Sequence, residues 1–219
     1  TTDTGVHFDV PFGLGTLRAH QYDMLVPGYN GHRNTLHLFD LDSADEAIIK
    51  GGIDFDKTDI AHNLTLFLYP DDSDEPGRLL RVYQQYFLVS ATAQLILKEV
   101  EARGGSLHKL HEYAVVQIND THPTMIIPEL IRLLTEKGVP LDDAIDEVSK
   151  TCAYTNHTIL AEALEKWPKS FLETVAPGIV PIIEALDKRV KEQFDDPRVY
   201  ILDDHGLVHM AHIDIHYGF

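Results

Sequence analysis

The chain has little of what marks exported, membrane-spanning or disulfide-bonded proteins. Its 219 residues include a single cysteine, Cys152, which excludes an internal disulfide framework and favours a reducing compartment. No apolar run approaches the roughly 18 residues of a transmembrane helix, and the sequence does not open with a signal peptide. These features together predict a cytoplasmic protein without a membrane partner.

Basic residues are also scarce. The chain has 18 lysine and arginine residues against 35 aspartate and glutamate residues, which gives a net charge of −17. Because nucleic acids and anionic membranes are bound through lysine and arginine, this balance predicts neither as a partner. A neutral ligand such as a sugar is compatible with it.

Two short apolar segments end abruptly in polar residues. The first, at 115–118, continues as Asn119-Asp120-Thr121-His122-Pro123. The second, at 152–155, continues as Asn156-His157-Thr158. Because ligands of open α/β sheets bind beyond the carboxyl ends of the strands, we expect these side chains to line one polar pocket.

Strand and helix patterns alternate in the second half of the sequence, which predicts an α/β fold with right-handed crossovers. Strands are predicted at 114–118 and 152–155, and helices around 127–134, 145–148, 160–167 and 179–190. Upstream, the first forty residues favour β or irregular structure. A helix is possible at 44–50 and another at 58–67, a loop is predicted at 71–77, and a long helix over 82–100 ends at Gly104-Gly105.

The most Gly-rich stretch is Phe12-Gly13-Leu14-Gly15. Arg18 stands where a dinucleotide-binding fingerprint would need its third glycine, so we interpret the stretch as a turn rather than a phosphate loop.

Three motifs resemble, in sequence and in order, the glycogen/starch (α-glucan) phosphorylases. They are Asn119-Asp120-Thr121-His122-Pro123, residues 151–158 (TCAYTNHT) and residues 162–168 (EALEKWP). Shorter matches at 22–23, 27–29, 68–70, 81–94 and 210–212 follow the family's order, so the resemblance covers nearly the whole chain.

The resemblance implies part of a Rossmann-like domain of the glycosyltransferase GT-B type, with long helices around a mainly parallel sheet. Members of the family are several times longer, so residues 1–219 are expected to be an internal fragment of the N-terminal domain. The family's activity is phosphorolysis of terminal α-1,4-glucosidic bonds, which yields glucose 1-phosphate. The implied partners are α-1,4-glucan, phosphate and glucose 1-phosphate, and the implied full-length assembly is a homodimer.

The family's pyridoxal phosphate is attached to a lysine in a C-terminal domain that this chain lacks. The Gly-rich phosphate loop is likewise expected to precede this stretch. We therefore expect the fragment alone to be inactive.

The resemblance also implies roles for individual residues. His157 is the expected catalytic residue and would hydrogen-bond the glucosyl unit through its ring and its main-chain carbonyl. Asn119, Asp120, His122 and Glu165 would line the pocket, with Glu165 on the helix after His157. From the sequence alone, the histidines could instead be core residues bonded to carbonyls. Asn119 and Asp120 could cap the following turn, and Glu165 could be a solvated carboxylate.

A gate loop at residues 71–75 is implied as well, with Asp71 and Asp72 binding substrate and Arg81 beside the loop. Family members commonly carry Asn-Asp-Asn-Phe-Phe there, so this chain, with Ser73, Asp74 and Glu75, lacks the aromatic pair. Arg81 could equally be a surface arginine at a helix start. The basic pair that binds an activating nucleotide in the animal enzymes falls on Lys98 and Glu99, so only one of the two is basic.

Two other functions fit parts of the sequence. His209, His212 and His216 have a spacing that suggests a zinc-dependent hydrolase if the segment is helical. The alternation over 208–215 favours a strand, and no acidic or cysteine ligand completes the set, so no metal is predicted. The other alternative is a non-catalytic fragment that binds glucan or assists assembly.

Overall fold

A computed structural model describes residues 1–42 and 56–219. The chain divides into two compact units, an N-terminal unit of Thr1–Ala91 and a C-terminal unit of Thr92–Phe219. The helix predicted at 44–50 lies outside the described residues. Each unit is considered by itself below.

The N-terminal unit begins with a three-stranded antiparallel sheet of β1 (Thr2–Phe12), β2 (Gly15–Pro27) and β3 (Arg33–Leu41), in the order β1-β2-β3. Phe12 pairs with Gly15 across the first hairpin, and Gly15 has a φ of +126°, which side-chain-bearing residues rarely adopt. The prediction that 12–15 is a turn is therefore confirmed.

Two helices follow in this unit: α1 (Ile60–Asn63) and the start of α2 (Glu75–Ala102). The helix predicted at 58–67 is thus reduced to one turn. Phe12 packs against Tyr83 and Tyr86 of α2, with ring centroids 5.5 Å apart in both pairs. These three rings are buried in the core of the unit, where aromatic pairs add to hydrophobic stabilisation.

The loop predicted at 71–77 ends earlier than expected, because α2 already begins at Glu75. Pro76 lies in the first turn of the helix, where its missing N–H has no intrahelical partner to lose, so it does not break the helix. The other end of α2 is as predicted. The N–H groups of Gly104 and Gly105 donate to the carbonyls of Glu101 and Val100, both at 2.9 Å, and close the helix.

The C-terminal unit contains the remaining elements. They are β4 (Val116–Asn119), α3 (Ile126–Glu136), α4 (Leu141–Thr151), β5 (Cys152–Thr155), β6 (Lys166–Pro168), α5 (Lys169–Val175), α6 (Val180–Gln193), β7 (Leu207–His209) and α7 (Met210–Tyr217). Strands β4 and β5 are parallel neighbours, joined through α3 and α4, while β6 and β7 are antiparallel. The predicted α/β class, its parallel sheet and its long helices are confirmed.

The core of this unit lies between the helices and the parallel strands. Apolar side chains recur at helical spacing and are fully or almost fully buried at Ile127, Leu130, Ile131 and Leu134 of α3, Ala144, Ile145 and Val148 of α4, and Ile183, Leu186 and Val190 of α6. The three predicted helices of this region are therefore confirmed, with ends a few residues beyond the predicted patterns. Strand 152–155 is also as predicted, and the strand predicted at 114–118 is β4, at Val116–Asn119.

Two predictions in this unit are wrong. The segment after His157 is not a helix: it contains one 3-10 turn at Ala161–Ala163 and then β6, which pairs with β7. Pairing with a strand about forty residues away outweighed the local apolar spacing, as tertiary contacts often do. The strand predicted over 208–215 is instead mostly helix α7, and β7 ends at His209.

No helix within residues 1–42 and 56–219 is both long enough and apolar enough to cross a membrane.

Candidate functional site

The polar residues predicted to share a pocket meet at the carboxyl ends of β4 and β5. Asn119, the last residue of β4, is in register with Thr155, the last residue of β5. The main-chain N–H of Asp120 donates to the carbonyl of Thr155 at 2.9 Å. The side-chain amide of Gln117 donates to the Thr155 hydroxyl at 2.8 Å. Main-chain and side-chain hydrogen bonds therefore both connect the two strand ends. Parallel pairing, with Asn119 opposite Thr155, therefore brings the two segments to one edge of the sheet.

The two residues that follow these strands are directly bonded. Nε2 of His157 lies 2.6 Å from Oδ1 of Asn119. Because an amide oxygen can only accept a hydrogen bond, Nε2 is the donor, and in the neutral imidazole Nδ1 is left as an acceptor. The His157 side chain is exposed. The bond thus holds an exposed imidazole by one ring nitrogen and leaves the other nitrogen as an acceptor for a ligand.

Asp120 has an unusual backbone conformation. Its φ is +66°, in the left-handed region where aspartate and asparagine are tolerated better than most residues. The Thr158 hydroxyl lies 3.1 and 3.2 Å from the two carboxylate oxygens, and the N–H of Thr121 donates to Oδ1 at 3.1 Å. These contacts hold a carboxylate beside the bonded pair of Asn119 and His157, and they give Thr158 a specific role as a hydrogen-bond donor to that carboxylate.

His122 lies on a turn between β4 and α3. It is exposed, whereas Thr121 and Thr124 on either side of it are buried. The Thr124 N–H donates to the carbonyl of Thr121 at 3.2 Å, and the Thr124 hydroxyl donates to Oδ2 of Asp214 on α7. The turn is therefore anchored to α7 through the buried Thr124, while the His122 side chain is exposed.

Glu165 lines a cavity of the C-terminal unit, with a volume of about 230 Å³. Basic residues of this cavity are Lys166, Arg198, His209 and His212. The placement of Glu165 in a network with Asp120 and His122 stays a prediction. Glu165 and Glu162 do not share a helix, since Glu162 lies on the 3-10 turn and Glu165 immediately precedes β6.

The two histidines of this cavity are held by specific acceptors. His209 Nε2 lies 2.8 Å from an Asp203 carboxylate oxygen, and His212 Nδ1 donates to the Tyr200 carbonyl at 2.6 Å. Their rings are stacked with centroids 4.8 Å apart. Burial lowers the pKa of His212, and the neighbouring basic groups act in the same direction.

The remaining predicted site residues belong to the N-terminal unit. Asp71 accepts from both the N–H and the hydroxyl of Ser73, and its pKa is lowered first by the N–H bond. Asp72 pairs with Arg81 at 2.9 Å. The Lys57 ammonium donates to the Asp71 carbonyl at 2.9 Å and contacts Asp74 at 3.2 Å. Residues 71–74 are therefore an ordered, charge-paired loop, and their role as a gate stays a prediction.

Among the residues that the structure describes, no three His, Cys, Asp or Glu side chains come together in a way that could hold a metal ion. His209, His212 and His216 do lie on or next to a helix, contrary to the predicted strand. His212 and His216 nevertheless each bond a main-chain carbonyl, of Tyr200 and Val199 respectively. The zinc-hydrolase alternative thus has no site in the described part of the chain.

Comparison with known proteins agrees with the motifs. Residues 11–219 match the model of the carbohydrate phosphorylase family. The chain is 63% identical over 213 residues to a maltodextrin phosphorylase of Streptococcus pneumoniae, which covers 97% of this chain and 28% of that protein. It is 40% identical over 203 residues to the cytosolic alpha-glucan phosphorylase 2 of Arabidopsis thaliana, covering 85% of this chain and 24% of that protein.

A third relative is a glycogen phosphorylase of Bacillus subtilis, 38% identical over 209 residues, which covers 91% of this chain and 26% of that protein. The chain thus spans about a quarter of the length of the curated relatives it matches. A family match over nearly the whole chain, together with the paired Asn-Asp and Asn-His strand ends, establishes that the chain belongs to the carbohydrate phosphorylase family.

Proposed function

We propose that the full-length protein is an α-glucan phosphorylase that cleaves terminal α-1,4-glucosidic bonds with phosphate and releases glucose 1-phosphate. The observation that carries this proposal is the 2.6 Å bond between His157 and Asn119 at the adjoining ends of two parallel strands. Such strand ends are where open α/β sheets bind their ligands. The named relatives are phosphorylases of maltodextrin, α-glucan and glycogen.

The site can bind and orient a sugar. Nδ1 of His157 can accept a hydrogen bond from a sugar hydroxyl, and the amide NH₂ of Asn119 can donate one to a sugar oxygen. Glucosyl transfer passes through a state with positive charge on the ring, which a nearby carboxylate stabilises. In this proposal the stabilising carboxylate is that of Asp120, which is held by the Thr158 hydroxyl at 3.1 Å. His122 and Glu165 are proposed to line the same pocket. Asp71, Asp72 and Arg81 are proposed, on the family's pattern, to belong to a gate loop that binds substrate in the full-length protein.

Pyridoxal phosphate is proposed as the cofactor of the full-length protein, where it would support proton transfer to and from the substrate phosphate. The Gly-rich stretch of the described residues does not fit the phosphate of this cofactor. The Gly-rich stretch at 12–15 is a β-hairpin turn, which offers a phosphate no helix N-terminus.

The proposed partners are α-1,4-glucan, phosphate and glucose 1-phosphate. A net charge of −17 suits a neutral glucan and disfavours nucleic acid and anionic membranes. A cytoplasmic location and a homodimer are proposed for the full-length protein on the family's pattern.

His157→Ala in the full-length protein tests the proposal. We expect kcat for phosphorolysis of maltodextrin to fall on the order of a hundredfold, since the hydrogen bond to the sugar strengthens in the transition state. The midpoint of thermal unfolding should stay within a few degrees of the parent value, because the side chain is exposed.

His108→Ala is the matched control, since His108 is an exposed histidine of the same unit outside the site. It should leave kcat unchanged. Unchanged turnover in His157→Ala would make His157 structural. If the full-length protein binds maltodextrin but forms no glucose 1-phosphate, the chain belongs to a glucan-binding or assembly module instead.

A further inference from the structure

Beneath the turn that carries His122 lies a buried polar cluster of Thr124, Cys152, Tyr154 and Asp214, named here the Asp214 cluster. Asp214 is 1% exposed, on helix α7. Cys152 and Tyr154 are on strand β5. Helix α7 packs against this strand, and the N–H of Phe219, just beyond α7, donates to the Cys152 carbonyl at 2.9 Å. The cluster therefore joins three segments under the strand ends.

Asp214 has fewer partners than a buried carboxylate needs. Its Oδ2 accepts a hydrogen bond from the Thr124 hydroxyl, while its Oδ1 is buried without a hydrogen-bond partner among the described residues. The buried Tyr154 hydroxyl also has no hydrogen-bond partner among them. A charge so placed would be strongly disfavoured, so the carboxyl holds a proton instead.

The rest of the Asp214 cluster is neutral as well. Burial raises the pKa of Asp214 to about 8, with the Thr124 bond opposing it. Burial first, and then the proximity of Asp214, raises the pKa values of Cys152 and Tyr154 to about 12. At neutral pH the cluster is thus an uncharged set of hydrogen-bonding groups.

Thr124 connects this cluster to the candidate site. The main-chain N–H of Thr124 closes the turn at 121–124 by donating to the Thr121 carbonyl at 3.2 Å. The main-chain N–H of Thr121 in turn donates to the Asp120 carboxylate at 3.1 Å. His122 lies inside the turn. One hydroxyl, held by Asp214, therefore fixes the segment that carries both Asp120 and His122.

We infer that Asp214 is a positioning residue for the reaction, which in its neutral form holds the 121–124 turn through Thr124 and so sets the places of Asp120 and His122. This inference rests on the proposed function. Ionised Asp214 would be a buried charge with one partner, and its surroundings would have to open to admit water. The turn would then loosen, and turnover would fall as Asp214 loses its proton.

Other ionisable groups lie on α7 and on the elements packed against it. Tyr154 on β5 interacts with both Asp214 and Asp120. Among the helices that pack against α7, α3 carries the buried Glu129, which is bonded to Arg132, and α4 carries Glu147, which accepts from the His111 ring at 2.6 Å. His212 and His216 on α7 itself bond main-chain carbonyls. Burial raises the pKa of Asp214 itself to about 8.

The sign of the pH effect follows from the raised pKa. The folded protein binds the Asp214 proton more tightly than the unfolded chain does, because the pKa of this carboxyl is near 3.8 in the unfolded chain. The contribution of protonated Asp214 to the stability of the folded protein is therefore complete below about pH 4, declines as pH rises, and is lost above about pH 8.

The test measures kcat and KM for phosphorolysis from pH 6 to 9.5 in the full-length protein and three variants. The parent should lose kcat with an ionisation near pH 8. Asp214→Asn cannot ionise and keeps an acceptor for Thr124, so it should retain kcat at pH 7 and lose that alkaline decline. Thr124→Val should lower kcat roughly tenfold or more with a smaller change in KM, and Thr124→Ser should restore it.

A second readout does not depend on activity. After correction for the intrinsic rise of exchange with pH, the amide hydrogens of residues 120–122, 124 and 125 should lose protection above pH 8 in the parent but not in Asp214→Asn. Asp187→Asn is the control: Asp187 is also buried, but it bonds the N–H groups of Ile201 and Leu202 at 3.0 Å, away from the site. It should alter neither the pH profile of kcat nor exchange at 120–125.

An unchanged alkaline decline in Asp214→Asn, or an unchanged kcat in Thr124→Val, would overturn the inference. Failure of the proposed function has a separate signature, since the full-length protein would then form no glucose 1-phosphate at any pH while the exchange difference remained.

Discussion

Asp120 combines two properties at one position. Its left-handed backbone favours a residue such as aspartate or asparagine, and its carboxylate accepts from Thr158 and Thr121. A residue selected for conformation alone could equally be asparagine. The two variants Asp120→Asn and Asp120→Ala therefore separate the charge from the backbone requirement.

We predict that Asp120→Asn in the full-length protein lowers kcat on the order of a hundredfold, because it removes a negative charge that opposes the developing charge on the sugar. Its thermal stability should be close to that of the parent. Asp120→Ala should lose the same activity and also about 1 kcal/mol of stability, since alanine fits the left-handed region poorly. Kinetics and thermal unfolding of both variants check this. Equal activity in parent and Asp120→Asn would remove the carboxylate from the mechanism.

At the scale of elements, the start of α2 depends on how tightly the preceding loop folds against it. The Asp74 carboxylate accepts from the Gly77 N–H at 2.8 Å and so serves the otherwise unpaired N–H groups of the first turn. A Cβ at Gly77 would lie 1.9 Å from the Asp71 carbonyl oxygen. The loop can close in this way only because residue 77 has no side chain.

We predict that Gly77→Ala displaces the loop at 71–74 and costs about 1–3 kcal/mol of local stability, because main-chain atoms cannot yield as a side-chain tip can. Hydrogen exchange and limited proteolysis of residues 71–78 in the full-length protein measure this. The control is Glu75→Ala, an exposed position in the same turn, which should change little. If Gly77→Ala exchanges like the parent, the loop does not close against residue 77.

The elements that the sequence predicted well are those with local signals. The strand at 152–155 and helices α3, α4 and α6 follow apolar patterns that depend on near neighbours. The two strand ends of the candidate site were predictable for the same reason, as polar residues directly after apolar runs. Their bond between His157 and Asn119 needed the parallel pairing of segments 38 residues apart.

Helix α7 shows why other elements were missed. Its buried positions Met210, Ile213, Asp214 and Tyr217 have helical spacing. A carboxylate at one of them interrupts the apolar stripe, so the alternation over 208–215 favoured a strand. This buried carboxylate is Asp214, the residue inferred to position the turn that carries His122.

At the scale of the whole molecule, the chain's charge limits what it can bind unaided. Phosphate is an anion, and the chain carries a net charge of −17. The strand-end groups Asn119, Asp120, His157 and Thr158 include no permanently positive side chain. Phosphate binding at these strand ends must therefore draw on groups outside them.

We predict that the 219-residue chain by itself forms no glucose 1-phosphate from maltodextrin and phosphate, with or without added pyridoxal phosphate. The full-length protein assayed in parallel is the positive control. An enzymatic assay for glucose 1-phosphate checks the prediction, and product above the no-protein background would contradict it.

Cys152 gives the chain a built-in reporter. It is the chain's one thiol, it is fully buried on β5, and burial raises its pKa to about 12. Since the thiolate is the reactive form, a disulfide reagent in neutral solution modifies this sulfur only after the strand has opened. The labelling rate of the 219-residue chain therefore reports how often β5 becomes exposed to solvent at Cys152, without any introduced probe.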